Sequence, residues 1–374
     1  MGVRMLSQGW LALELTDSPF WVGLIAGLQG VGLVGFGAFG GTIVDRFDKR
    51  NVLAVAHFGS GAAAIAIGVL LVTDNIHLWH LVVAALLQGL LMATQLPASN
   101  SLAYQLVGPD RLLNAMAARL AGMNMTRIIG SLIAGALMSQ YGVGSSYLFA
   151  GGCSLAGVGL LWFIKGSFQT TTEREPFWQS VTQGIKYSWR EGDLRRLLLL
   201  SLIMEAFGFS HFVMMPVIAR DALHVGAVGL GYLSAASGVG STLATLAVLS
   251  LGDYRNKSRL LLGTALGAGA TLILFAFSTW FPASLALVGM VGGCLMAYDV
   301  TMGTMLQLLS RDEMRGRVLG IYGLTFGFTP VGGFFAGAVA TALTASVAVA
   351  MGGVFVLLYV AAIARSILRI ANRA

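Results

Sequence analysis

"GGTIVDRFDKR", Gly40 to Arg50, places five charges directly behind Phe20 to Val44, twenty-five residues without a single charge. A run of that length matches the about 20 apolar residues that carry a helix across a hydrocarbon core. The charges then fall where the chain leaves the membrane, and the rest of the sequence repeats the arrangement. Apolar residues are 56% of the 374, charged residues 10%, and mean hydropathy is +0.80. Long irregular chain inside lipid would strand backbone polar groups, and the alternating pattern of a barrel is absent, so the spans are helices. Charge-poor runs between polar breaks place full spans at 20–44, 51–73, 78–106, 118–139, 145–165, 196–219, 226–250, 259–279, 282–309, 317–343 and 346–364. The stretch Met1 to Leu15 has the character of a helix end, but at about 1.5 Å per residue it is too short to cross. It carries Arg4 and Glu14 and lacks a signal-peptide cleavage pattern, so a first span without its beginning is expected.

A net charge of +7 and a pI of 9.7 could suggest nucleic acid, but the positions of the basic residues argue against it. Arg46, Lys49 and Arg50, then Arg111 and Arg119, the segment Lys165 to Arg196, Arg255 to Arg259, Arg311 to Arg317 and Arg365 to Arg373 fall in alternate connections or at the C-terminus. The opposite connections hold only Arg220. By the positive-inside rule the basic connections face the cytoplasm, and so do both ends of the chain. Cys153 and Cys294 lie inside apolar runs, as small hydrophobes rather than as a disulfide or metal pair.

The longest polar interval divides the chain into an expected N-terminal bundle, 1–165, a cytoplasmic linker, 166–195, and a C-terminal bundle, 196–374. Within the linker, "FWQSVTQGIKYSW" has the pattern of an interfacial amphipathic helix. If the halves are repeats, the charged stretch should recur some two hundred residues on, and "LGDYRNKSR" at Leu251 to Arg259 stands there. Asp45, Asp48 and Lys49 match Asp253, Asn256 and Lys257 at a common offset. A second pair, "VGPDRLLNA" and "LSRDEMRGRV", follows the fourth span of each half. Parallel six-span repeats of this kind describe one transporter architecture.

"GGTIVDRFDKR" resembles the loop between the second and third spans of the major facilitator superfamily: Gly, three residues, Asp-Arg, one residue, Gly, two basic residues. Gly41, Asp45, Arg46, Lys49 and Arg50 match it, and Asp48 stands where Gly is usual. That departure, with "SQGWLALELTDSP", "MPVIARDALHVGAVGLGYLSAASGVGS" and "RDEMRGRVLGIYG", is similar to the branch of enterobactin-exporter-like proteins, the transmembrane secretion effectors. The resemblance implies an all-helical fold of two pseudo-symmetric six-helix bundles, no cofactor and a monomer. It also implies that this cluster, with Asp253 and Arg315 in the second half, holds the cytoplasmic side shut in the outward-facing state. Physically, Gly41 would let two helices approach, Asp45 could accept hydrogen bonds from a facing helix N-terminus or arginine, and the basic residues could anchor at headgroups. The same charges would also serve as a plain topology signal. The fifth span, with Gly130-Ser131 and Ala134-Gly135, is similar to the antiporter motif but lacks its proline. Small residues at this spacing also suit ordinary helix packing.

An ionisable group at the centre of a span costs roughly 2.5–3.5 kcal/mol on insertion scales, so those present usually face water, a partner or a substrate path. Glu205, Asp299 and Arg127 are such residues. The carboxylates are candidate proton or cation acceptors, or members of a hydrogen-bonded polar spot between helices. Arg127 is a candidate for binding an anionic group, or snorkels to the surface. His211, six residues after Glu205, turns to another face. Gln29, Gln88, Gln95 and Asn100 line a cavity or bond between helices. "GVGLVG" and "GFGAFG" fit a dinucleotide fingerprint but lie inside an apolar span, and none of the four lysines follows a glycine, so no nucleotide drives this chain. Hydrolase signatures are absent, and the chain is not expected to be an enzyme. The expectation is a secondary transporter of a bacterial-type plasma membrane, a proton-coupled exporter of a drug or siderophore-like molecule. Nutrient uptake by the same fold and a non-transporting sensor or partner subunit are the alternatives.

Overall fold

A computed structural model of the chain describes residues 2–108, 111–164, 166, 168, 177–252, 254 and 256–370. Asp253 and the side chain of Asp45 lie outside the described residues. The helices are α1 (Gly2–Thr16), α2 (Pro19–Arg46), α3 (Lys49–Val72), α4 (Leu78–Val107), α5 (Leu112–Tyr141), α6 (Val143–Leu161), α7 (Phe177–Arg190), α8 (Gly192–Ile203), α9 (His211–Val217), α10 (Gly226–Ser250), α11 (Lys257–Ala276), α12 (Phe281–Leu309), α13 (Asp312–Thr325), α14 (Phe328–Ala342) and α15 (Ala345–Ile370). Among the described residues, 10 helical runs are long and apolar enough to cross a membrane, and the expected 118–139 lies within α5.

Two of these runs are not the continuous spans that the apolar pattern suggests. Gly192–Ala222 holds π-helical turns at Met204–Gly208 and Ile218–Ala222, and Asp312–Ala342 breaks at Phe326 and Gly327. Pro216 and Pro330 lack the amide that an unbroken helix would use, which accounts for a disturbance near each.

Packing repeats between the halves. α2 lies on α4 and α3 on α6, as α10 lies on α12 and α11 on α15. Across the halves α2 meets α14 and α5 meets α10. These crossings are backbone against backbone: a Cβ at Gly23 would fall 2.5 Å from the Gly333 carbonyl oxygen, and one at Gly135 2.8 Å from that of Ala227. Without a hydrophobic drive between helices in lipid, small residues and close contact supply the attraction.

The opening stretch ends α2 at Arg46, and Asp48 caps α3 by accepting the amides of Arg50 (2.9 Å) and Asn51 (3.4 Å). The close approach expected at Gly41 is absent, since a Cβ there would meet nothing within 4 Å. It belongs to Gly40, whose Cβ would lie 2.5 Å from the Ala93 oxygen on α4.

Asp48 also does something the glycine of the usual pattern could not. Its other oxygen accepts the Phe168 amide at 2.8 Å, Arg50 donates to the Ile164 carbonyl at 2.8 Å, and the Phe168 ring is buried with Val44, Val52, Leu53, Ala98 and Leu102. The start of the linker is thus clasped to the N-terminal half. Farther on, α7 packs against α13 of the other half, where Tyr187 accepts the Arg311 amide at 3.3 Å. Burial pushes the Asp48 carboxyl up, but the amides of Phe168, Arg50 and Asn51, with the Arg50 charge, hold it below the usual carboxylate range. A folded value below the unfolded one means that the clasp contributes fully above the ordinary aspartate range and weakens as pH falls through the lowered value. Asp48→Gly should therefore speed tryptic cleavage after Lys165 several-fold at neutral pH; equal cleavage of the two proteins would exclude the clasp.

Candidate functional site

A cavity of about 100 Å³, several times what one water needs, lies between the halves. α1, α2 and α5 contribute Met5, Gln8, Gln29, Arg127 and Ser131, while α9 and α10 contribute Phe212, Met215, Pro216, Leu230 and Ser234. Arg127 does not snorkel away. Its Nη2 donates to Ser241 Oγ on α10 at 2.9 Å, and its guanidinium carbon stands 5.6 Å from the Phe212 ring centroid.

Beyond the cavity, away from the basic connections, the halves are joined. Besides the glycine crossings, Arg220 at the end of the α9 run bridges to Asp17 between α1 and α2 at 2.7 Å and donates to the Leu13 carbonyl at 3.4 Å. Toward the basic end, Gly35, Gly37 and Gly41 on α2 and Gly316, Gly320 and Gly323 on α13 have open space where a Cβ would sit. The halves are thus held together on one side of the cavity, while a Cβ on these glycines toward the other side would meet nothing within 4 Å. Of the expected gating residues, Arg50 serves the linker clasp, Lys49 is fully buried in the first turn of α3, and Arg315 pairs with Asp312 at 2.6 Å within its own half.

Glu205 and Asp299 do not line this cavity. Glu205 rides on the π-helical turn Met204–Gly208, is 3% exposed, and accepts the Thr329 hydroxyl from the first turn of α14. Asp299 on α12 accepts the Tyr322 hydroxyl from α13, and Ser201 bonds Thr325 at 2.7 Å beside them. The polar spot therefore ties the break in one span to the break in another. A Cβ at Gly332 would fall 1.7 Å from the Ala206 carbonyl oxygen, so α14 lies directly on the π turn. A carboxyl in such a place can hold or release a proton, and its charge is solvated differently whenever the two breaks shift against each other.

His211 makes no bond to Glu205 among the described residues; its Nδ1 meets the Gly208 carbonyl at 2.8 Å. His80 accepts the His77 amide at 2.9 Å and caps α4. Gln95 bonds Ser60 at 3.2 Å and Asn100 accepts Arg119 at 2.6 Å, as interhelical groups, while Gln29 faces the central cavity and Gln88 a smaller one beside Arg4. Sequence reasoning missed Gln8, Met5 and Ser234, which carry no charge to mark them. It marked Arg220 as the exceptional outer cation without reaching its partner.

Relatives of known name share this architecture and little sequence. The chain is 22% identical over 358 residues to the multidrug efflux pump Tap of Mycolicibacterium fortuitum, covering 91% of this chain and 86% of that one. It is 24% identical over 313 residues to the enterobactin exporter EntS of Escherichia coli, covering 82% and 74%. A mutant of the nucleoside transporter NupG superposes with a TM-score of 0.78 at 14% identity, over 98% of this chain and 95% of that one, which speaks for the fold alone. These proteins are transporters, not enzymes. The model of the transmembrane secretion effector family matches residues 2–374, and the chain belongs to that family of major facilitator transporters.

Proposed function

We propose that the chain is a proton-coupled exporter of a small amphiphilic molecule, working by alternating access between bundles 1–165 and 196–374 about the linker 166–195. One observation carries this reading: a cavity walled by both halves, held together at one end by glycine crossings and the Asp17–Arg220 bridge, with glycines at which a Cβ would meet nothing toward the basic end. With the basic end and the C-terminus in the cytoplasm of a bacterial-type cell, this is the state that loads from inside. The names of Tap and EntS support export. In the opposite state the basic end closes, and Gly41, Asp45, Arg46, Lys49 and Arg50 meet the surroundings of Asp253 and Arg315. The chain acts as a monomer, with the bilayer and protons as its other partners. Protonation of Glu205 or Asp299 biases the states by removing a charge whose cost differs between them.

The test is accumulation of dyes, antibiotics and ferric chelators in cells lacking their own exporters, with and without a protonophore. Accumulation of at least one compound should fall several-fold on expression, and both the protonophore and Asp45→Asn should restore it. Counterflow that needs no gradient would replace export by facilitated uptake.

A further inference from the structure

The wall of the central cavity carries a cation and, among the described residues, no anion. Arg127 is the one charged residue on it, and no carboxylate lies within ion-pair distance of it among the described residues. Its Nε is buried without a hydrogen-bond partner. Two further groups on the same wall donate to thioether sulfurs: Gln29 Nε2 to Met92 Sδ at 3.2 Å, and Ser234 Oγ to Met215 Sδ at 3.4 Å. Sulfur is a weak acceptor, so these donors turn readily to a stronger one. The acids of the membrane interior cannot neutralise the site, because Glu205 and Asp299 lie off the cavity wall and bond Thr329 and Tyr322. A buried cation without its counter-charge is costly, and a guanidinium offers a planar fork to an oxyanion.

We infer that the transported molecule is an amphiphilic acid. One anionic group, a carboxylate, phenolate or sulfonate, sits on Arg127 with Gln29 and Ser234 as further donors. The aromatic or apolar body lies against Phe212, Met5 and Leu230. Amphiphilic cations are excluded by the same guanidinium. This selectivity rests on the exporter reading for its direction but not for its chemistry.

Fluorescein and rhodamine 6G share a xanthene ring system and differ in charge, which makes them matched probes. Binding of each to the full chain in lipid nanodiscs is read by fluorescence anisotropy, and movement of each is read in vesicles under a pH gradient. Fluorescein should bind at least tenfold tighter than rhodamine 6G. Arg127→Gln should erase that preference, and Arg127→Lys, which keeps the charge, should retain most of it. Equal or tighter binding of rhodamine 6G, or an equal loss of both dyes in Arg127→Gln with Arg127→Lys no better, overturns the inference. The two readings fail separately: Arg127-dependent fluorescein binding without gradient-driven movement counts against export alone, and driven movement of rhodamine 6G but not fluorescein counts against the acid alone.

Discussion

Gly332→Ala should abolish transport while the protein still inserts and folds. The added methyl would fall 1.7 Å from the Ala206 carbonyl oxygen and 2.5 Å from its carbon, and both are backbone atoms that no rotamer change can move. α14 would have to retreat by about 1–2 Å to restore van der Waals distance. Ordinary overpacking costs about 1–3 kcal/mol, and a clash with backbone on both sides lies at the upper end of that range. Function should suffer more than stability, because Thr329 is one turn before Gly332 and leaves Glu205 as the helix withdraws. A loss of at least 100-fold in efflux from reconstituted vesicles is expected. Gly263→Ala, at a helical glycine with open space around it, is the control and should transport normally. Full efflux by Gly332→Ala would show that the contact between the π turn and α14 is incidental.

Glu205→Gln should separate gradient-driven from passive transport. Glutamine keeps the shape of the side chain and still accepts the Thr329 hydroxyl, but it cannot take up or release a proton. Accumulation against a gradient should drop at least tenfold, while equilibration of labelled substrate down its own concentration gradient stays within about twofold of the wild type. The pH dependence of the wild-type rate should flatten in the variant. Proton-driven transport at full rate in Glu205→Gln would remove this residue from the coupling, and Asp299→Asn would then be the variant to measure. Asp299 acts through Tyr322 on α13 rather than directly on the π turn, so its substitution is expected to have the smaller effect.

The spans were legible because charge is so sparse that each cluster marks a membrane boundary. That is how α2, α3 and α4 could be placed within a few residues of their observed ends. Arg127, Glu205 and Asp299 were legible for the same reason, as charges inside apolar runs. What they face was not. Each π turn inserts an extra residue, turning everything after it by about 100° relative to a regular helix. Faces counted along Gly192–Ala222 therefore drift, and Phe212 could not be assigned to the cavity. The glycine crossings were equally hidden: which glycine touches another helix depends on the distance between halves, which is why Gly41 was expected where Gly40 makes the contact.

At Gly23, Gly135, Gly231 and Gly337 the halves meet through main-chain atoms, whereas the cavity wall is made by side chains, some of them on α1 and α9, outside the helices that carry these glycines. The contact between the halves and the lining of the cavity are thus written in separate parts of the sequence. Met5, Phe212 or Ser234 can therefore be exchanged, and the chemistry of the wall changed, without touching the glycines at which the halves meet.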